Sequence, residues 1–118
     1  MQAVSVGEAA GGTLVLVLRG EIDYTIAERV AVVMCDAVAD RSPPAVCVDV
    51  TAVSFLDSSG VGVLVQAMQA AEAVGARFSV QNPNDKVFDQ LQISGLLDLF
   101  GLADAEPDAS GSAGPTTG

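Results

Sequence analysis

The sequence predicts an α/β fold: a small single-layer, mostly parallel sheet with an antiparallel N-terminal edge, packed against helices. Three observations predict it. Residues 13–18 and 45–50 are short apolar runs with turn residues on their flanks, as strands buried on both sides read. Between such runs lie segments whose apolar residues recur at helical spacing. Half of the 118 residues are hydrophobic and 17% are charged, enough to bury one core and too short a chain for two.

Each element follows in order. Residues 2–8 alternate weakly and read as an edge strand, paired with residues 13–18 through the turn at Gly11-Gly12. Gly12 and Gly20 bound that second strand. Thr25-Ile26-Ala27-Glu28 has capping-box form, with Thr25 as cap. Ile26, Val30, Val33, Met34 and Ala37 make the apolar stripe of the helix it opens, and Ser42-Pro43-Pro44 stops it. Residues 45–50 are the next core strand. A second helix starts at Ser58 or Ser59, buries Val61, Leu64, Val65, Met68 and Ala71, and ends at Gly75. Residues 77–81 form the third core strand, broken by Pro83. Asn84 caps a helix carrying Val87, Phe88 and Leu91, which Gly95 closes. Residues 96–102 are a last apolar segment of open type.

Strands that alternate with helices after an initial hairpin imply right-handed parallel crossovers, with helices on one face more than the other. The domain spans 1–102. Residues 103–118 lack Val, Leu, Ile, Phe and Tyr and read as a flexible acidic tail.

Composition narrows the function. Fifteen acidic and five basic residues give a net charge of -10, which repels nucleic-acid phosphates and anionic lipid. Neither a leader nor a membrane span is legible, so a cytoplasmic location is expected. Histidine is absent, which removes His-based triads, most catalytic zinc sites and the usual general base. Lys86 is the one lysine, so a serine hydrolase lacks a base. Cys35 and Cys47 form no C-x-x-C pair and read as small buried hydrophobes. No nucleophile elbow or phosphate-binding Gly-Lys-Ser/Thr loop occurs. The expected catalytic, cofactor and metal sets are therefore empty, and the chain reads as a binding protein.

The informative stretch is Phe55-Leu56-Asp57-Ser58-Ser59-Gly60-Val61-Gly62-Val63-Leu64. It joins a strand to the start of the second helix, where backbone N–H groups are unpaired and the dipole is positive. Asp57 and Ser58 suit a helix cap. Two hydroxyls go beyond what a cap needs. Gly60 and Gly62 each cost roughly 0.8–1 kcal/mol against alanine in a helix interior and let another backbone approach. Val63 falls off the stripe, which leaves it for solvent or for a partner. The expected contact surface is Asp57, Ser58, Ser59, Gly60, Gly62, Val63 and Gln66. Asp23 is either a plain cap or part of that surface.

These residues resemble the STAS domain family, named for sulfate transporters and anti-sigma factor antagonists. The resemblance covers about residues 4–102. It rests on Arg19-Gly20-Glu21-Ile22-Asp23, on Val48-Asp49-Val50 leading into the motif from Phe55 to Gly62, and on residues 91–100. The middle motif is the specific one. The resemblance implies a small α/β layer. It implies an anti-sigma factor antagonist that binds an anti-sigma factor with serine kinase activity and so frees a sigma factor. It implies phosphorylation on the first serine of Asp-Ser-Ser-Gly, here Ser58, and a serine phosphatase that reverses this partner switch. It leaves open a non-switching subunit of a stressosome-type scaffold or a lipid-transport complex.

Overall fold

The computed structural model describes residues 3–93, 95 and 96. The domain boundary at 102, the acidic tail and all but Leu96 of the last apolar segment lie outside them. Four strands form one sheet in the order β1 (Val4–Glu8), β2 (Leu14–Ile22), β3 (Ala45–Leu56), β4 (Arg77–Gln81). β1 runs antiparallel to β2, and the other two pairings are parallel. Helix α1 (Tyr24–Arg41) connects β2 to β3, helix α2 (Ser58–Ala73) connects β3 to β4, and α3 (Asp85–Ile93) packs against β3. Among the described residues, no helix is long and apolar enough to cross a membrane.

Period-two alternation sets the layer. Leu14, Leu16 and Leu18 of β2 are fully buried, as are Val48 and Val50 of β3. Leu14 and Leu16 stand opposite Val46 and Val48 in the parallel register. Each side chain so buried contributes about 1.5–3 kcal/mol. Val15, Val17, Cys47 and Asp49 alternate with them and are half-buried. The expectation that these strands are buried on both sides is therefore corrected: one face is sealed and the other stands partly open.

Two strands run further than expected. β2 continues through Gly20 to Ile22, and β3 continues past Val50 to Leu56, with register shifts on the way. Gly20 takes φ +74, a left-handed backbone that glycine adopts without strain. A strand boundary read at glycine is here an irregularity inside a strand.

Both long helices bury a wider face than the expected stripe: Val30 and Met34 of α1 and Val61, Leu64 and Ala71 of α2 are buried as expected, and Ile26, Ala37, Val65 and Met68 pack against the core. α1 buries Ala27, Val30, Ala31, Met34 and Val38, while Val33 is exposed. α2 buries Gly60, Val61, Val63, Leu64, Ala67 and Ala71. In each case small residues face the interior, where they let the helix approach closely. Cys35 and Cys47 are free thiols, half-buried rather than fully buried. Burial pushes both thiols above their ordinary titration range.

Candidate functional site

β2 and β3 end side by side, with Ile22 opposite Leu56 as their last parallel pair. An aspartate follows each strand and caps the next helix: Asp23 for α1 and Asp57 for α2. The Asp57 amide donates across the gap to the Ile22 carbonyl at 3.4 Å. Register thus brings together two motifs that lie far apart in the chain.

The two caps are wired differently. Asp23 Oδ1 accepts from Thr25 N at 3.0 Å and from Thr25 Oγ1 at 2.5 Å. The Thr25 hydroxyl, with backbone N–H groups behind it, holds the Asp23 carboxyl below its usual range. Thr25, expected to be the cap, is inside the helix and is itself bound by the cap. At α2, Asp57 Oδ1 accepts from Gly60 N at 3.0 Å, and the Asp57 carbonyl accepts from Val61 N at 2.9 Å.

Ser58 occupies the first helical position and is exposed; Ser59 follows, half-buried. Among the described residues the Ser58 hydroxyl has no hydrogen-bond partner. The first turn of a helix leaves amides unpaired and carries partial positive charge. The site therefore offers an accessible hydroxyl at a position that tolerates added negative charge.

The glycines divide. A Cβ on Gly60 would lie 2.5 Å from the Ile22 carbonyl oxygen and 2.6 Å from Leu56 Cδ1. The backbone that approaches Gly60 is thus the chain's own. A Cβ on Gly62 would meet nothing within 4 Å, and Gly62 is half-buried at the surface. Val63 is 1% exposed and belongs to the core. Gly60 and Val63 are therefore removed from the expected contact surface. Asp57, Ser58, Ser59, Gly62 and Gln66 keep accessible surface, and Asp23 joins them at the neighbouring strand end.

A groove of about 650 Å³ runs between α1 and α2. Ser59, Gly62 and Gln66 line it from α2; Tyr24, Glu28 and Val32 line it from α1. Tyr24 is 77% exposed and Val32 53%. The α1 side was not singled out from sequence. Its one available signal is that Tyr24, Glu28 and Val32 repeat every four residues on the side away from the buried stripe. Among the described residues, no cluster of three or more His, Cys, Asp or Glu is arranged to hold a metal ion.

Comparison with known proteins places this geometry. The family model for the STAS domain matches residues 6–109. The anti-sigma F factor antagonist of Lysinibacillus sphaericus is 32% identical over 84 residues, covering 71% of this chain and 72% of that protein. Among solved structures, the anti-sigma factor antagonist SpoIIAA in its unphosphorylated form superposes with a TM-score of 0.70 at 31% identity, covering 80% of this chain and 82% of that one. The Bacillus cell fate determinant SpoIIAA in the phosphorylated form gives a TM-score of 0.63 at 30% identity, covering 80% and 85%.

Proposed function

The chain belongs to the STAS domain family, and we propose that it is an anti-sigma factor antagonist switched off by phosphorylation of Ser58. It works in the cytoplasm by binding an anti-sigma factor that is also a serine kinase, so that a sigma factor is released. The observation that carries this reading is the Ser58 hydroxyl, exposed and, among the described residues, without a partner on the first turn of α2. Relatives named as anti-sigma factor antagonists support the coarse role. That a similar protein has been solved both unphosphorylated and phosphorylated supports the switch.

The chemistry needs no catalytic group from this chain. Ser58 Oγ attacks the γ-phosphorus of ATP held by the kinase, ADP leaves, and the hydroxyl proton passes to the kinase's base. The new phosphoserine carries about -1.5 to -2 charges. Asp57 is its chain neighbour, Asp23 is at the adjoining strand end, and residues 53–62 contain no Lys or Arg. Negative charge and bulk added beside those carboxylates cost interaction energy at a docked surface, and no nearby cation of this segment offsets them. The unpaired amides of the first turn receive the phosphate, so the domain keeps its fold. A serine phosphatase restores the hydroxyl.

Affinity capture from the source cell tests this, using wild type, Ser58→Ala and Ser58→Asp. An ATP-binding serine kinase is expected with the first two and not the third, with phosphate on Ser58 of the wild type alone. If all three capture the same partner without kinase activity and Ser58 stays unmodified, Asp-Ser-Ser-Gly is a helix cap in a scaffold or transport subunit.

A further inference from the structure

We propose that the groove between α1 and α2 seats a basic amphipathic segment of the anti-sigma factor, so that α1 supplies half of the docking surface. This rests on the reading of the chain as an antagonist and extends it from the turn at Ser58 to a second helix.

Continuity is the first argument. One wall begins at Ser59, the neighbour of Ser58, and continues through Gly62 to Gln66. A partner that covers Ser58 with its kinase site therefore meets the mouth of the groove.

Shape is the second. Ala27 and Ala31, 8% and 4% exposed, lie low between the helices. Gly62 leaves space that even a methyl group would not fill to contact. Tyr24 and Val32 stand out into solvent on the other side. They lie two turns apart with Glu28 between them, so they share one helix face. An exposed tyrosine over a floor of small residues is the arrangement that anchors protein interfaces. From Tyr24 to Asp36 the groove follows α1 for about 18 Å at 1.5 Å per residue, a match for three turns of a docked helix.

Charge is the third, and it selects the occupant. Glu28 and Asp36 line the groove and no Lys or Arg does. The chain as a whole carries -10. A segment with apolar residues on one side and Arg or Lys beside them satisfies both features; an acidic or wholly apolar segment satisfies one at most.

Two measurements test the proposal. The first is binding of the captured serine kinase to Tyr24→Ala and Glu28→Lys. Each is expected to weaken Kd about tenfold, with the Glu28→Lys loss shrinking at high salt. The matched controls are Ile93→Ala and Asp89→Lys on α3, both exposed, which should stay within about twofold. Circular dichroism checks that every variant is folded. If both groove variants bind like wild type while Ser58→Asp loses binding, the antagonist reading stands and the groove proposal is overturned. If no form of the chain captures a kinase, both fall.

The second is an amide NMR titration of the full chain with two synthetic helical peptides, one of leucine and lysine, one of leucine and glutamate. Shifts at Tyr24, Val32, Gly62 and Gln66 with the lysine peptide alone support the proposal. Shifts spread over the whole acidic surface, or equal shifts with the glutamate peptide, overturn it.

Discussion

At the start of α1, one aspartate oxygen takes both the amide and the hydroxyl of Thr25. At the start of α2, the same residue type takes the amide of Gly60 and, among the described residues, leaves Ser58 Oγ without a partner. The two starts sit on neighbouring strand ends and share the same cap chemistry. They differ in what the cap leaves over. The first turn of α1 has its hydroxyl tied back, and it shows solvent a tyrosine. The first turn of α2 holds its backbone tightly through Gly60 and shows solvent an untied hydroxyl. Two aspartate-capped helix starts thus differ by where the hydroxyl falls relative to the cap, and residue type alone does not separate them.

The largest expected effect breaks the tight side of that comparison. Gly60→Ala forces a methyl group against the Ile22 carbonyl and Leu56. Urea unfolding should show a loss of about 3 kcal/mol, because backbone cannot yield as a flexible side chain can. Gly62→Ala, one half-turn on and in open space, should instead gain about 0.8 kcal/mol from helix propensity. Equal effects at both positions would mean that Gly60 is not held against the strand end.

Next in size is the cap itself. Asp57→Ala should cost about 1 kcal/mol of stability, since the Gly60 amide loses its acceptor. Ser58→Asp should move stability the other way by about 0.3–1 kcal/mol, as a carboxylate in the first turn of a helix does. Its loss of kinase binding, together with unimpaired thermal stability, would separate a switch from damage.

The smallest effect is electrostatic. Asp23 titrates below its usual range when folded. Its contribution to stability is therefore present above the unfolded value near about pH 3.9 and fades as pH falls through the folded value. Thr25→Val should raise the titration midpoint of Asp23 in carboxyl-detected NMR; Ser58→Ala should leave it in place. Asp49 is an internal control, since Thr51 holds it low by the same pair of hydrogen bonds. A Thr25→Val change that left Asp23 unmoved would show that the hydroxyl is not what holds it.

Much of the fold was legible because turn residues and apolar runs punctuate this chain sharply. The antiparallel edge, the parallel core, the start of α2 and the Asn84 cap, which accepts from Val87 N at 2.9 Å, all follow from local chemistry. What was illegible in the helices shares one cause. One stripe per helix, drawn through the bulky residues, puts Val33 inward and leaves out Ala27 and Ala31; the same narrow stripe leaves Val63 outside, although it is buried, while Ile26 is partly buried as expected. In a thin layer the helices must lie close to the sheet and to each other, and small residues permit that. Bulk is an incomplete guide to the buried face when alanine and glycine make part of it. The same cause hid the α1 wall of the groove. The extension of β3 to Leu56 was hidden by register shifts, which have no signature in composition.

The pairing of Ile22 with Leu56 has a further consequence for recognition. The carboxylates and hydroxyl that it assembles come from two stretches separated by all of α1 and most of β3. They form a discontinuous epitope, which no linear fragment of the chain can present. Any partner that touches both helix starts at once therefore recognises the folded domain and not the chain segments alone.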